Sequence, residues 1–321
     1  MFCFAAWANT QKAAKKWRFE LYYIDFGLGM LLCSIAIALT LGSMGKELSV
    51  EDNLVIAGKR SMAFAFAAGC VFSLANMMLA GAVSVAGVSV AFPIAFAITM
   101  IAGIPISMFF GIPGSTAYRG IGGVLLAAAI FSIALAHVEH TETLRERLAA
   151  MGKKKRDAAG KGILLSIISG VFMSLFFPLV DLAKAGEIGL GPYSVGLFVS
   201  LGAFLMVFPL SLYFMNLPVS GESIAFLAYT KGTLKQHFLG WLGGMIACAG
   251  LIALMVAYSV PRQNFPIPAQ AFAIAHGAPL LSMMFGTLIW KEFSEPTGRT
   301  PLLLAAGGLL FAAGLGCLAV A

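Results

Sequence analysis

Apolar stretches of about twenty residues follow one another along this chain too closely for soluble domains, and that repetition fixes its solvent. Full spans fall at about 21–43, 62–80, 84–110, 118–137, 162–183, 193–215, 237–258, 268–290 and 301–320. A helix needs roughly 20 predominantly apolar residues to cross the hydrocarbon core of a bilayer. A shorter apolar stretch, 1–9, precedes them. Nine helical residues cover only about 13 Å of a core roughly 30 Å thick. The expected fold is an all-α polytopic membrane protein of about ten transmembrane helices, the first truncated at the N-terminus. Only 11% of the residues are charged and 60% are hydrophobic, so polar surface is too scarce to solvate such helices in water. The basic cluster around Lys15 follows the first apolar stretch instead of preceding it, which does not fit a cleaved signal peptide.

Charge then sets the orientation. Fifteen of the 21 Lys and Arg residues lie in alternate loops, near 12–18, 145–161, 231–235 and 291–299. Basic loops stay in the cytoplasm, so both termini are expected on the outer side of the cell inner membrane. The net charge of +7 therefore orients the chain and calls for no nucleic-acid partner. The longest charged stretch, "HVEHTETLRERLAAMGKKKRDAAGK", has no interleaved aromatics of the kind that bind single strands. It reads as a basic cytoplasmic linker, 141–161, between a first repeat, 1–140, and a second, 162–321.

Ordered matches link the two halves. "WANTQK" places Asn9 and Lys12 where "LVDLAK" places Asp181 and Lys184. "FAI" recurs at Phe96 and Phe272, and two Ala/Gly-rich stretches align from Arg119 and Arg299. An odd number of spans, duplicated, gives an inverted repeat, the usual build of secondary transporters with a site near the midplane. Pro93, Pro105, Pro178, Pro209 and Pro279 lie inside spans, where each frees a carbonyl and can bend its helix.

An ionisable side chain at membrane depth costs about 2.5–3.5 kcal/mol and calls for a reason. His276, inside "AQAFAIAHGAPLLSMMFG", is the best placed to bind solute or a proton. Asn76 in "FSLANMMLAG" either holds solute or links two helices. Gln270 is expected at the outer mouth of a cavity. Trp7 and Asn9 are expected to close its cytoplasmic end, with Trp7 able to stack on a sugar face. Asp25 is the second proton-coupling candidate, although a carboxylate near a helix start is also favoured by the helix dipole. Asp181 and Lys184, three residues apart, are expected to pair locally. Glu292 is expected at the cytoplasmic interface. The five cysteines lie singly in apolar runs, without metal-ligand or disulfide spacing. The sequence carries no H-E-x-x-H, G-x-S-x-G or phosphate-binding loop, so no enzyme, cofactor, metal site or intrinsic ATP drive is expected.

The stretches "TQKAAKKWRFE", "KGILLSIISGVFMSLFFPLVDLAKAGEIGLGPYSVGLFVSLGA" and "GTLIWKEFSEPTGRTPLLLAAGGLLFAAG" resemble the bacterial L-rhamnose–proton symporter branch of the drug/metabolite transporter superfamily. The start "WANTQK…KWRFELYYID" is also similar to the bacterial sugar-uptake and plant ureide-permease group. The resemblance implies two inverted five-helix repeats, alternating access, and uptake of a sugar or related polar solute with a proton or other cation. It also implies that "WANTQK" closes a complete first helix, so an upstream start is expected. Two alternatives stand beside this importer. One is a drug or metabolite exporter on the same fold, which would show an aromatic cavity without hydrogen-bonding groups. The other is a membrane scaffold or sensor, which would show no central cavity.

Overall fold

The computed structural model describes residues 1–44, 48–111, 114–151, 159–259, 275–294 and 298–321. Among them every regular element is helical. The helices are α1 Phe2–Ala13, α2 Phe19–Leu39, α3 Val50–Ile56, α4 Lys59–Ala86, α5 Val88–Phe109 and α6 Thr116–Ala150. They continue as α7 Ala159–Ser174, α8 Phe176–Lys184, α9 Pro192–Asn216, α10 Leu234–Ala257, α11 Ala278–Met284 and α12 Thr300–Ala319. A 3₁₀ turn, Phe226–Lys231, precedes α10, and a π turn, Phe285–Ile289, extends α11.

Eight spans among the described residues are long and apolar enough to cross a bilayer, with α7 and α8 forming one of them. Their outward faces are apolar: Phe109 and Leu234 are each 86% exposed and Leu309 73%. Large apolar side chains pointing out of long helices fit a lipid surround. The chain is a multi-pass membrane protein.

Local chemistry sets the breaks. The sequence reading divides α4 from α5 near residue 82, but α4 runs on to Ala86. The helix ends only at Gly87, whose φ of +85° is open to glycine and strained for other residues. Pro178 has no N–H for the Ser174 carbonyl, and the span is interrupted at Leu175 between α7 and α8. The charged stretch 141–150 continues α6 beyond membrane length; residues 152–158 lie outside the described residues.

Contacts sort the loops onto two faces. On one face Arg18 donates to the Glu222 carbonyl, Gln236 to the Lys15 carbonyl at 3.2 Å and Arg299 to Glu139 at 3.1 Å. These bonds join the loops richest in Lys and Arg, so we refer to this as the basic face. On the opposite face Gly58 N–H donates to the Ile188 carbonyl at 3.1 Å and Asn53 Nδ2 to that of Gly189 at 3.2 Å.

Two close helix crossings hold the centre. At the first, α2 meets α10: a Cβ on Gly29 would collide with the Trp241 backbone, and one on Gly244 with that of Phe26. At the second, α9 meets α4: a Cβ on Gly202 would strike the Phe66 carbonyl, and one on Gly69 that of Val199. Helices approach this closely only where small residues face each other.

Candidate functional site

A cavity of about 750 Å³ runs inward from the face opposite the basic loops. Its mouth is set by the ends of α5, α8 and α10, through Phe110, Lys184 and Tyr258. Its inner end reaches Thr99 at the middle of α5, Ser174 at the end of α7, and His276. Both walls near that end are interrupted helices. Phe177 follows the Leu175 break, and His276 is the last helical residue before the turn at Gly277 that precedes α11, where Pro279 leaves the Ala275 carbonyl without a helical donor. The Phe177 and His276 rings lie 5.9 Å apart. Irregular backbone at membrane depth is tolerated where it lines such a cavity.

The lining can hydrogen-bond a polar molecule. Thr99 Oγ1 donates to the Ala95 carbonyl at 2.9 Å and lies 3.2 Å from that of Gly170, so its oxygen can still accept. Asp181 and Lys184 both reach the cavity. Lys184 Nζ donates to Ser259 Oγ at 2.9 Å, just past the end of α10, while its charge and that of Asp181 act on each other. Burial, and then the Asp181 carboxylate, push the Tyr258 phenol above its ordinary value, which keeps it a donor.

Below His276 the path is filled by rings. Phe96 lies 6.5 Å from His276 and 5.9 Å from Phe92, and Phe92 lies 5.7 Å from Trp7. Trp7 is 2% exposed and lies 5.2 Å from Phe26. The basic face is then latched by side chains. Trp290 Nε1 donates to Asn9 Oδ1 at 2.6 Å. Lys12 pairs with Glu292 and lies 5.4 Å over the Trp290 ring. Glu292 also accepts from the Val88 and Ser89 N–H groups at 2.8 and 2.9 Å, capping α5 with a carboxylate where the helix dipole favours one.

The sequence candidates therefore separate. His276 lines the cavity. Trp7 lies in the ring stack beneath it and Asn9 in the latch. Asn76 is 4% exposed and its Nδ2 bonds back to the Phe72 carbonyl at 2.9 Å, within its own helix. Gln270 lies outside the described residues. Asp25 belongs to another cluster, where Tyr229 donates to its Oδ1 at 2.5 Å and His237 Nδ1 lies 2.9 Å from its Oδ2. His237 and Tyr229 were not singled out in the sequence. One signal was available: Thr233 and Gln236 form a capping box, which fixes the start of α10 and seats His237 on its first turn. No group of three or more possible metal ligands occurs among the described residues.

A family model described as Ureide permease matches residues 22–163. Three curated relatives from Arabidopsis thaliana extend the likeness over most of the chain. Ureide permease 1 is 26% identical, covering 90% of this chain and 86% of its own. Ureide permease 2 is 22% identical, covering 88% and 84%. Ureide permease 4 is 22% identical, covering 92% and 88%. These matches support a transporter family, and the printed names fall on the ureide-permease side of the resemblance read from the sequence.

Proposed function

We propose that this chain is an inner-membrane secondary transporter that imports a small polar solute, a ureide or a sugar, by proton-coupled alternating access. The observation that carries the reading is the asymmetry of the two faces. A cavity with hydrogen-bonding groups opens on one face, while rings, the Asn9–Trp290 bond and the Lys12–Glu292 pair fill the other. With the basic face cytoplasmic, this is an outward-open state. The relatives' names supply the ureide, and the hydrogen-bonding lining speaks for a polar cargo over an apolar drug.

An inverted repeat supplies the symmetry that alternating access uses. Two observations support it here. Gly29 and Gly202 lie 173 positions apart, and Gly69 and Gly244 lie 175 apart. Those offsets exchange the α2–α10 crossing for the α9–α4 crossing. They match the spacing of the sequence repeats, so the halves 1–140 and 162–321 are read as its two members.

The test is uptake into proteoliposomes under an imposed proton gradient, with labelled ureides and sugars. Gradient-dependent accumulation of one solute supports the reading; no uptake by folded protein overturns it. His276→Ala should raise KM about tenfold in protein that still folds, since it removes a solute contact at the inner end of the cavity. An unchanged KM would remove His276 from the site.

A further inference from the structure

One buried titratable cluster has no part in the solute cavity. Asp25 lies six residues inside α2, about 9 Å from its first residue on the basic face. It is 0% exposed. Its carboxylate receives the Tyr229 hydroxyl at 2.5 Å and faces His237 Nδ1 at 2.9 and 3.1 Å. The space is made by Gly240, where any Cβ would collide with that of Asp25.

We propose that Asp25 and His237, with Tyr229, form a proton-binding site on the cytoplasmic face that is filled while this face is closed and empties as it opens. The inference rests on the transport reading above and makes closure of this face depend on cytoplasmic pH. With one proton the Asp25–His237 pair is neutral overall, either as carboxylate and imidazolium or as acid and imidazole. Without it a net negative charge stays in a water-excluded pocket, which is costly unless the pocket opens. The side chain of Asp25 is fully buried while that of His237 is 21% exposed, so His237 is the edge through which the proton reaches water.

The surroundings leave the pair to carry the charge. From α2 itself the neighbouring titratable group is Tyr22, bonded to Thr10 at 2.7 Å. From the 3₁₀ turn it is Tyr229. Burial, and then Asp25, push the Tyr229 phenol well above its ordinary value, so it remains a donor. From α10 the facing groups are His237 and Trp241. From the α1–α2 connection it is Trp17, edge-on to His237 at 5.2 Å. Two residues with one proton titrate as a pair. Asp25 shares a helical turn with Phe26, which touches Trp7 beneath the cavity, so movement of α2 connects the two sites.

Two measurements test the assignment. The first needs no solute. Trp17 stands next to His237, and an imidazolium quenches indole fluorescence, so the purified wild-type protein should show a pH-dependent transition in tryptophan emission. That transition should vanish in H237Q and be displaced along the pH axis in D25N; three superimposable titrations would overturn the site. The second measures counterflow as the pH on the side of the basic face is lowered. Wild-type counterflow should slow at least threefold as the site fills and holds this face closed, and D25N and H237Q should lose that dependence. A dependence like that of the wild type in both variants would overturn the assignment. Absence of counterflow in the wild type would count against the transport reading alone, and the titration would still decide the proton site. Should D25N not fold, H237Q carries both measurements.

Discussion

Replacing Glu292 with Ala should unlatch the basic face and lower the Tm of the purified protein more than any other single change at that face. Its side chain is 9% exposed and serves three groups at once: Lys12 and the N–H groups of Val88 and Ser89. Removing one member of a buried ion pair strands the other. The expected cost is about 3 kcal/mol, the low end of the range for such pairs because Lys12 keeps 22% exposure. Lys12→Met should cost less, because Glu292 keeps both amide donors and its place at the α5 N-terminus. The ordering E292A below K12M below wild type is the check; equal Tm values for the two variants would show that the α5 cap contributes nothing. In the transport reading, E292A also favours the inward-open state. A cysteine in place of Gln11, which is 7% exposed in the latched face, should then react faster with an impermeant maleimide in E292A than in the parent.

The second large effect is expected at the helix crossings. Gly69→Ala puts a methyl into the Val199 carbonyl, and Gly244→Ala puts one into the Phe26 carbonyl. The obstacle is backbone, so no rotamer change relieves it and the helices must separate. Overpacking usually costs about 1–3 kcal/mol, and these two sites belong at the upper end or beyond. Gly103→Ala is the control, since a Cβ there meets nothing within 4 Å. Thermal unfolding in detergent should rank both crossing variants well below the control. A G69A or G244A protein as stable as G103A would mean that the helices part at these crossings without cost.

Parts of the site were legible in the sequence for specific reasons. His276 stood out because a titratable group near the centre of an apolar run is costly. Asn9 and Glu292 were each placed at the cytoplasmic end by their position in a span. Neither position says that Trp290 donates to Asn9, or that Glu292 reaches across to the start of α5. Asn76 was read as either holding solute or linking two helices, but its amide is satisfied by the Phe72 carbonyl one turn back. Sequence cannot distinguish a group bonded within its own helix from one aimed into a cavity. His237 went unnoticed because it sits at a span's edge, where polar residues are ordinary.

What the sequence by itself determined is one-dimensional: the apolar runs, their lengths, the basic alternation of loops and the glycines and prolines that punctuate them. Lipid enforces these because each span must bury its own backbone polar groups in a helix, whatever its neighbours do. The tertiary structure alone decided which residues meet. Lys12 and Glu292 lie 280 positions apart, and Asp25 and His237 lie 212 apart. Between helices in lipid there is little hydrophobic preference for one partner over another, so close packing at a few glycines and the pairing of buried polar groups choose the arrangement. Both depend on surfaces in three dimensions, which no periodicity along the chain records.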